Sequence, residues 1–249
     1  MEIIDIIMPV YNCEKYVKEA IASVKKQTYK SWNLIIVDDC STDKSYEIIE
    51  KEIQDIKNKV VLIKNEKKQG ISKTRNKGIE QTKNKYIAFL DADDIWDYQK
   101  LEKQMRFMEE NNYNFTYTKF LYKKGIKNKQ VGIFPKKLNH KQALKNTFIL
   151  TSTVMINEEK IDKKLIKMPY IESEDTATWW NILKNNNIAY GLNENLTEYG
   201  VHKNGISFNK IKNVKRTWNL YRKHENLGVV KSMHYFINYV INASIKRIL

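Results

Sequence analysis

The sequence predicts an α/β fold: a mainly parallel sheet with helices on both faces, followed by a helical extension at the carboxyl end. Three observations predict it. Short β-branched or aromatic runs at 3–10 (IIDIIMPV), 33–37 (NLIIV), 60–64 (VVLIK) and 86–90 (YIAFL) alternate with helical patterns near 14–27, 43–57 and 71–83, the order of successive βαβ units. The runs are almost purely apolar, as expected of strands covered on both faces. From residue 229 onward apolar residues recur at helical spacing on one face.

The elements follow in order. Ser41-Thr42-Asp43 precedes the second helical pattern and Ser72 stands at the start of the third, and each is expected to cap free amide groups. After residue 97 the alternation fades into a helix near 98–111, a strand-like NFTYTKFLY at 114–122, a basic loop and a mixed stretch to about 200, where antiparallel additions to the sheet are expected. There is no internal repeat and no Pro/Gly/Ser-rich linker. The chain divides into 1–97, 98–207 and a basic amphipathic tail, 208–249.

Composition narrows the function classes. At 249 residues with 42% hydrophobic and 11% aromatic content, only 3 Pro and 8 Gly, the chain reads as ordered and globular. No run of about 18 apolar residues occurs, which excludes an ordinary membrane span. The amino terminus opens with acids and meets Pro9 early, so no signal peptide is expected. The two cysteines, Cys13 and Cys40, have no zinc or disulfide spacing and read as reduced thiols of a cytosolic protein. The net charge of +15 is uneven: residues 101–249 hold 26 Lys+Arg against 12 Asp+Glu, residues 1–100 hold 18 against 17. A solvated lysine-rich surface and attraction to anionic lipid or phosphorylated acceptors both fit that excess. Nucleic acid is not expected, because the basic part lacks interleaved recognition motifs and the acidic strand ends would repel phosphate.

In open parallel sheets ligands bind outside the carboxyl ends of the strands. The chemically informative residues fall there: Pro9-Val10-Tyr11-Asn12 after the first strand, Asp38-Asp39-Cys40-Ser41-Thr42-Asp43 after the second, and Asp91-Ala92-Asp93-Asp94 after the fourth. Clustered carboxylates repel unless a cation, a donor or protonation relieves them. Oxygen ligands of this kind suit Mg2+ or Mn2+, which use few protein ligands and complete their shell with substrate phosphates. A solvated, helix-capping turn is the alternative, and the position after YIAFL favours the metal.

The motifs PVYN, VDDCSTD, GISKTRNKGI, FLDADD, SEDTATWW and EYGVHKNGIS stand in the order and spacing of family 2 glycosyltransferases, a resemblance covering roughly residues 3–207. It implies the GT-A fold, with 1–97 as nucleotide-sugar-binding part and 98–207 as acceptor-binding part. It also implies inverting transfer of a hexose or N-acetylhexosamine from a UDP-sugar donor to a lipid-linked bacterial surface glycan acceptor, with Mn2+ or Mg2+ as cofactor. By the same resemblance Pro9, Val10, Tyr11 and Glu14 hold the nucleotide and Asp39 accepts from the uracil imide. Arg75 reaches the diphosphate or ribose, Asp91 with Ala92 meets ribose or sugar, and Asp93 is the principal metal ligand. Asp175 is the general base and Glu174 its positioning neighbour; a helix-capping acid pair is the alternative. His202 reaches the metal or diphosphate. Gly200 stands where the family has Arg, and Lys203 is the nearby cation.

In the tail, Lys210, Lys212, Lys215, Arg216, Arg222, Lys223, Lys231, Lys246 and Arg247 accompany an apolar stripe from Val229 to Ile248. It reads equally as a membrane-interface helix, giving peripheral contact at the inner face of the cytoplasmic membrane, or as a helix packed on its own domain or on a second copy in a homodimer. Enzyme is the leading reading. The alternative is a catalytically silent sugar-nucleotide-binding or scaffold subunit, against which Asp93 and Asp175 argue.

Overall fold

The fold is that of a computed structural model, which describes residues 1–124, 127–130, 134–146, 148–200 and 210–248. The first half holds β1 (Ile4–Val10), α1 (Val17–Lys25), β2 (Trp32–Asp38), α2 (Ser45–Glu52), β3 (Val60–Lys64), α3 (Ile71–Gln81) and β4 (Tyr86–Phe89). These strands are parallel in the order β3-β2-β1-β4, with Ile4 opposite both Trp32 and Tyr86, and Leu34 opposite Val60. Every residue of β1 is buried, and successive side chains enter different cores. Ile4, Ile6, Met8 and Val10 pack with Leu34 and Ile36 on one face, while Ile7 joins Phe89 and Trp179 on the other. That is why the strand reads as a continuous apolar run rather than an alternating one. Asp5 interrupts it, and its carboxylate accepts from the Lys83 and Asn84 amides at 2.8 and 3.0 Å, pinning the turn between α3 and β4.

Three local expectations change. β3 is the edge strand, and Val61 is 43% exposed, so its apolar run is not covered on both faces. The second helix is shorter than expected: α2 ends at Glu52 and a 3-10 turn follows over Gln54–Lys59. Ser72 lies inside α3, whose N-cap is Gly70 at φ 90° with no side-chain cap, a conformation glycine adopts without strain. Asp43 does serve the next helix, accepting from the Ser45 amide at 2.9 Å.

The second half adds β5 (Ile95–Trp96), α4 (Lys100–Asn111), β6 (Phe115–Lys124), β7 (Lys127–Gln130), β8 (Lys137–Leu138), α5 (His140–Ala143), β9 (Met155–Asn157), α6 (Lys163–Ile166), α7 (Glu174–Lys184), β10 (Ala189–Gly200), α8 (Lys210–Asn219) and α9 (Val229–Ile248). The sheet continues β4-β9-β6-β10-β5. β9 is antiparallel to both β4 and β6, so it is the antiparallel insertion, and β6 and β10 run parallel to each other. One sheet thus crosses the boundary expected at residue 97.

α3 approaches the sheet closely at Gly78, where a Cβ would lie 2.6 Å from the Ile7 Cγ2. Glycine is required for that contact, and the contact brings the amino end of α3 beside the strand ends. The tail folds back on the domain through Tyr221, whose ring stacks on Trp180 at 5.3 Å and whose hydroxyl donates to the Leu144 carbonyl at 2.5 Å. Glu225, buried at the end of a π-helical turn (Leu220–His224), sits 3.2 Å from both His140 Nε2 and Lys184 Nζ. Among the described residues no helix is long and apolar enough to cross a membrane.

Candidate active site

The loops after β1, β2 and β4 and the start of α7 converge. β1 and β2 deliver their ends through paired backbones, with Pro9 opposite Val37 and the Asp39 amide donating to the Val10 carbonyl at 2.8 Å. Beyond them two loops zip together. The Asn12 amide donates to Ser41 Oγ at 3.0 Å, the Thr42 amide to Asn12 Oδ1 at 2.9 Å, the Glu14 amide to Asp43 Oδ2 at 3.0 Å and the Lys44 amide to Glu14 Oε2 at 3.1 Å. Glu14 is therefore a strut between loops. Asp38 serves its own turn, accepting from the Ser41 amide at 3.1 Å.

Asp39 is buried and accepts from Asn65 Nδ2 at 2.9 Å and from the Gln69 and Gly70 amides at 2.8 Å each. Burial pushes its carboxyl up, but these donors outweigh burial and hold it below the usual range. It thereby fixes the 65–70 loop and the start of α3. Tyr11 is 37% exposed, and Lys68 Nζ from that loop lies 3.7 Å from its ring centroid, so an aromatic face and a cation sit together at the mouth of the site.

Arg75 joins two of the acidic groups. Its guanidinium is buried and forks inward, NH2 donating to Asp91 Oδ1 and NH1 to Glu174 Oε1, both at 2.6 Å. Residues 16 and 99 positions away in sequence are thus joined through one rigid fork. Burial alone would depress the Arg75 pKa, yet Asp91, Glu174 and Asp175 together raise it. Two carboxylates thus converge on this one cation.

Within the acidic turn the three aspartates differ. Asp91 takes Arg75 and its amide donates to Ser152 Oγ at 3.0 Å. Asp93 is pushed up to about 6 by burial and by Asp91. Asp94 is fully buried; it accepts from the Ser152 hydroxyl and, at 2.9 Å, from the Gly200 amide. Burial, then Asp93 and Asp91, push its carboxyl well up. Ala92 is buried behind the turn. Cys13 lies close by, its thiol pushed up to about 12 by burial and by Asp93.

α7 presents the second acidic pair. Ser173 enters it at φ 59°, in the left-handed region that Asn12 at 50° and Cys40 at 61° also occupy at this end of the sheet. Such conformations cluster at functional sites. Glu174 is 9% exposed and pushed up to about 7 by burial and Asp175, against the pull of Arg75. Asp175 accepts from Thr151 Oγ1 at 3.1 Å and from the Thr176 amide at 2.6 Å, which leaves it a partly exposed, oriented carboxylate.

The structure therefore brings together Asp91, Arg75 and Glu174, with Asp93 and Asp175 beside them, and places Pro9, Val10, Tyr11, Glu14 and Asp39 in the adjoining loops. His202 and Lys203 lie outside the described residues. Sequence reasoning named Asp94 only as a member of the acidic turn and missed Thr151, Ser152, Asn65 and Lys68. Asp94 carried a signal as the third acid in FLDADD; the others contribute through contacts between distant segments.

The chain matches glycosyl transferase family 2 over residues 5–166. It is 39% identical over 249 residues, 99% of this chain and 98% of the other, to a Bacillus subtilis protein named for teichuronic acid biosynthesis, the glycosyltransferase TuaG. It is 36% identical, covering 99% of this chain and 96% of the other, to the Escherichia coli UDP-Glc:alpha-D-GlcNAc-diphosphoundecaprenol beta-1,3-glucosyltransferase WfaP. Among solved structures, S. aureus TarS 1-349 in complex with UDP-GlcNAc superposes with a TM-score of 0.73 at 19% identity, over 97% of this chain and 72% of that one. The Pyrobaculum calidifontis mannosyltransferase PcManGT, in complex with GDP-Man and Mn2+, gives 0.72 at 14% identity, over 97% and 73%. With the ordered motifs, the parallel sheet and the convergent strand ends, these likenesses establish that the chain belongs to glycosyl transferase family 2 and is a glycosyltransferase of the GT-A fold.

Proposed function

We propose that the chain transfers a hexose or N-acetylhexosamine from a UDP-sugar to a lipid-linked acceptor of a bacterial surface glycan, with inversion at the anomeric carbon, at the inner face of the cytoplasmic membrane. The observation that carries this reading is the Arg75 clamp, which ties donor-side Asp91 to Glu174 beside Asp175 through two 2.6 Å ion pairs. Support for the donor and acceptor classes comes from the relative acting on UDP-Glc and a diphosphoundecaprenol acceptor, and from TarS with UDP-GlcNAc.

Each residue then has a task. Tyr11 stacks on the base, and Asp39 shapes the nucleotide loop and offers a remaining lone pair to the uracil imide. Pro9, Val10 and Ala92 form the backbone wall, with Glu14 bracing the loop. Asp91 meets the ribose or sugar. Asp175 takes the proton from the acceptor hydroxyl as that oxygen attacks the anomeric carbon, and Thr151 aims its carboxylate. Glu174, held by Arg75, fixes the start of α7.

A divalent cation fits the acidic turn. Asp93 lies buried beside Asp91, and its carboxylate oxygens are donors of the kind that suit Mn2+ or Mg2+. Ions of this kind take much of their shell from water and substrate phosphate. Asp93 would hold the ion with His202, and when bound it supplies charge neutralisation to the departing diphosphate.

A donor panel tests the reading. Purified protein is incubated with UDP-, GDP- and dTDP-sugars, a GlcNAc-diphosphate-lipid acceptor, and Mn2+, Mg2+ or chelator, following nucleotide release and product mass. Metal-dependent UDP release with a single added hexose or N-acetylhexosamine is expected. UDP-sugar binding without any transfer would instead make the chain a silent binding subunit.

A further inference from the structure

The tail helix α9 divides into two faces. Ser232, Tyr235, Phe236 and Asn242 turn toward the protein: Ser232 is fully buried, Tyr235 lies 6.3 Å from Tyr221, Phe236 meets Trp218 edge-on at 5.7 Å, and Asn242 Nδ2 donates to the Lys145 carbonyl at 2.9 Å. The opposite face is aliphatic and open. Val230 is 84% exposed, Met233 46%, Ile237 52%, Val240 41% and Ile241 52%. At 100° per residue these five fall within an arc of about 100°. A contiguous exposed aliphatic stripe on a helix already packed by its other face marks an interaction surface.

The charge around the stripe identifies the occupant. From residue 201 to 249 there is one acidic residue, Glu225, and it is buried between His140 and Lys184. Among the described residues of the tail no exposed side chain is acidic, while Lys212, Lys215, Lys223 and Lys231 are exposed on it. Two copies meeting through this face would bring together two tails that carry lysines and no exposed acidic side chain to pair with them. An anionic bilayer satisfies both features, taking the aliphatic side chains below the headgroups and the lysines among them.

We propose that α9 docks on an anionic lipid bilayer through Val230, Met233, Ile237, Val240 and Ile241. The inference rests on the proposed function only for the lipid-linked nature of the acceptor. Its test uses the full chain and a Met233→Ser/Ile237→Ser/Ile241→Ser variant, whose altered side chains are all open to solvent. Both proteins are floated with phosphatidylcholine vesicles with or without 30% phosphatidylglycerol, at low and high salt. Sedimentation velocity, thermal melting and turnover on a water-soluble acceptor analogue accompany the flotation.

The expected result is flotation of the wild type with the anionic vesicles, reduced at high salt, and at least tenfold less for the variant, with melting and soluble-acceptor turnover unchanged. Equal flotation of both proteins, or none by the wild type, overturns the proposal. A wild-type dimer that the variant converts to monomer, without lipid binding, assigns the stripe to a second copy instead. Flotation as expected without turnover on any acceptor leaves the docking surface standing and defeats the catalytic reading alone.

Discussion

Replacing Arg75 separates the internal clamp from the donor-binding fork the sequence suggested. The guanidinium is 5% exposed and makes ion pairs of 2.6 Å to Asp91 and Glu174, whose side chains are 24% and 11% exposed. Arg75→Ala leaves two carboxylates facing each other without a cation. Removing one partner of a buried pair costs about 3–5 kcal/mol; Asp91, the more open of the two, recovers part of its share by hydration, which places the expected loss near 4 kcal/mol. For a chain of this size that lowers the melting temperature by roughly 10 °C. Arg75→Lys should fall between wild type and Arg75→Ala, since an ammonium cannot bridge both carboxylates as the planar fork does. Arg75→Met combined with Glu174→Gln should regain stability over Arg75→Met alone, because one unpaired charge is gone. Urea titration and thermal melts measure the stability, and calorimetry with UDP measures donor affinity on the folded Arg75→Lys protein. Transfer should fall more than UDP affinity. An Arg75→Ala protein that melts within 2 °C of wild type while losing UDP affinity thirtyfold would refute the clamp.

Three further outcomes follow from local geometry. Asp94→Asn keeps an acceptor for the Gly200 amide and a donor for Ser152, so urea titration should find it within about 1 kcal/mol of wild type, whereas Asp94→Ala should lose about 1–3 kcal/mol by stranding buried partners. Gly78→Ala forces a methyl against Ile7 at 2.6 Å, and overpacking of this kind should cost about 1–3 kcal/mol in the same assay. Burial pushes Glu225 up, but His140 and Lys184 outweigh it and hold its folded-state pKa below the ordinary 4.5. Its stabilising contribution is therefore complete above about 4.5 and is lost as pH falls through the lower folded value. The stability difference between wild type and Glu225→Gln, measured by urea titration, should shrink between pH 6 and pH 3.5.

Much of the fold was legible because βαβ units announce themselves twice, in apolar runs and in the residues at their ends. IIDIIMPV, NLIIV and YIAFL read as buried strands since both faces of the sheet carry a core. VVLIK read the same way although β3 is an edge, because an apolar run does not state how many neighbours it has. Ser72 looked like a cap, yet Gly70 adopts the conformation that begins α3, and a turn conformation outweighs a side-chain preference. At the site, the acidic turn and the Glu174-Asp175 pair were visible as local clusters. Their linkage was not, because Arg75 reaches Glu174 across 99 positions and nothing in GISKTRNKGI says whether its guanidinium faces a ligand or the interior. Ser152 and Thr151 were invisible for the same reason: a hydroxyl in LTST becomes informative only when the 3-10 turn Thr151–Thr153, just before β9, sets it beside the acidic residues.

The central claim is a division of labour, with Asp93 serving the donor and its cation and Asp175 serving the acceptor proton. Its most direct measurement sets Asp93→Asn beside Asp175→Asn, with metal-dependent UDP affinity by calorimetry and single-turnover transfer to a lipid-linked acceptor determined for each. Asp175→Asn should bind UDP with Mn2+ within threefold of wild type while its transfer rate falls by roughly 10²–10⁴. Asp93→Asn should lose the metal-dependent part of UDP affinity together with transfer. If Asp175→Asn lost UDP affinity in proportion to its rate, or if Asp93→Asn transferred normally in the presence of chelator, the assignment of the two carboxylates would be contradicted.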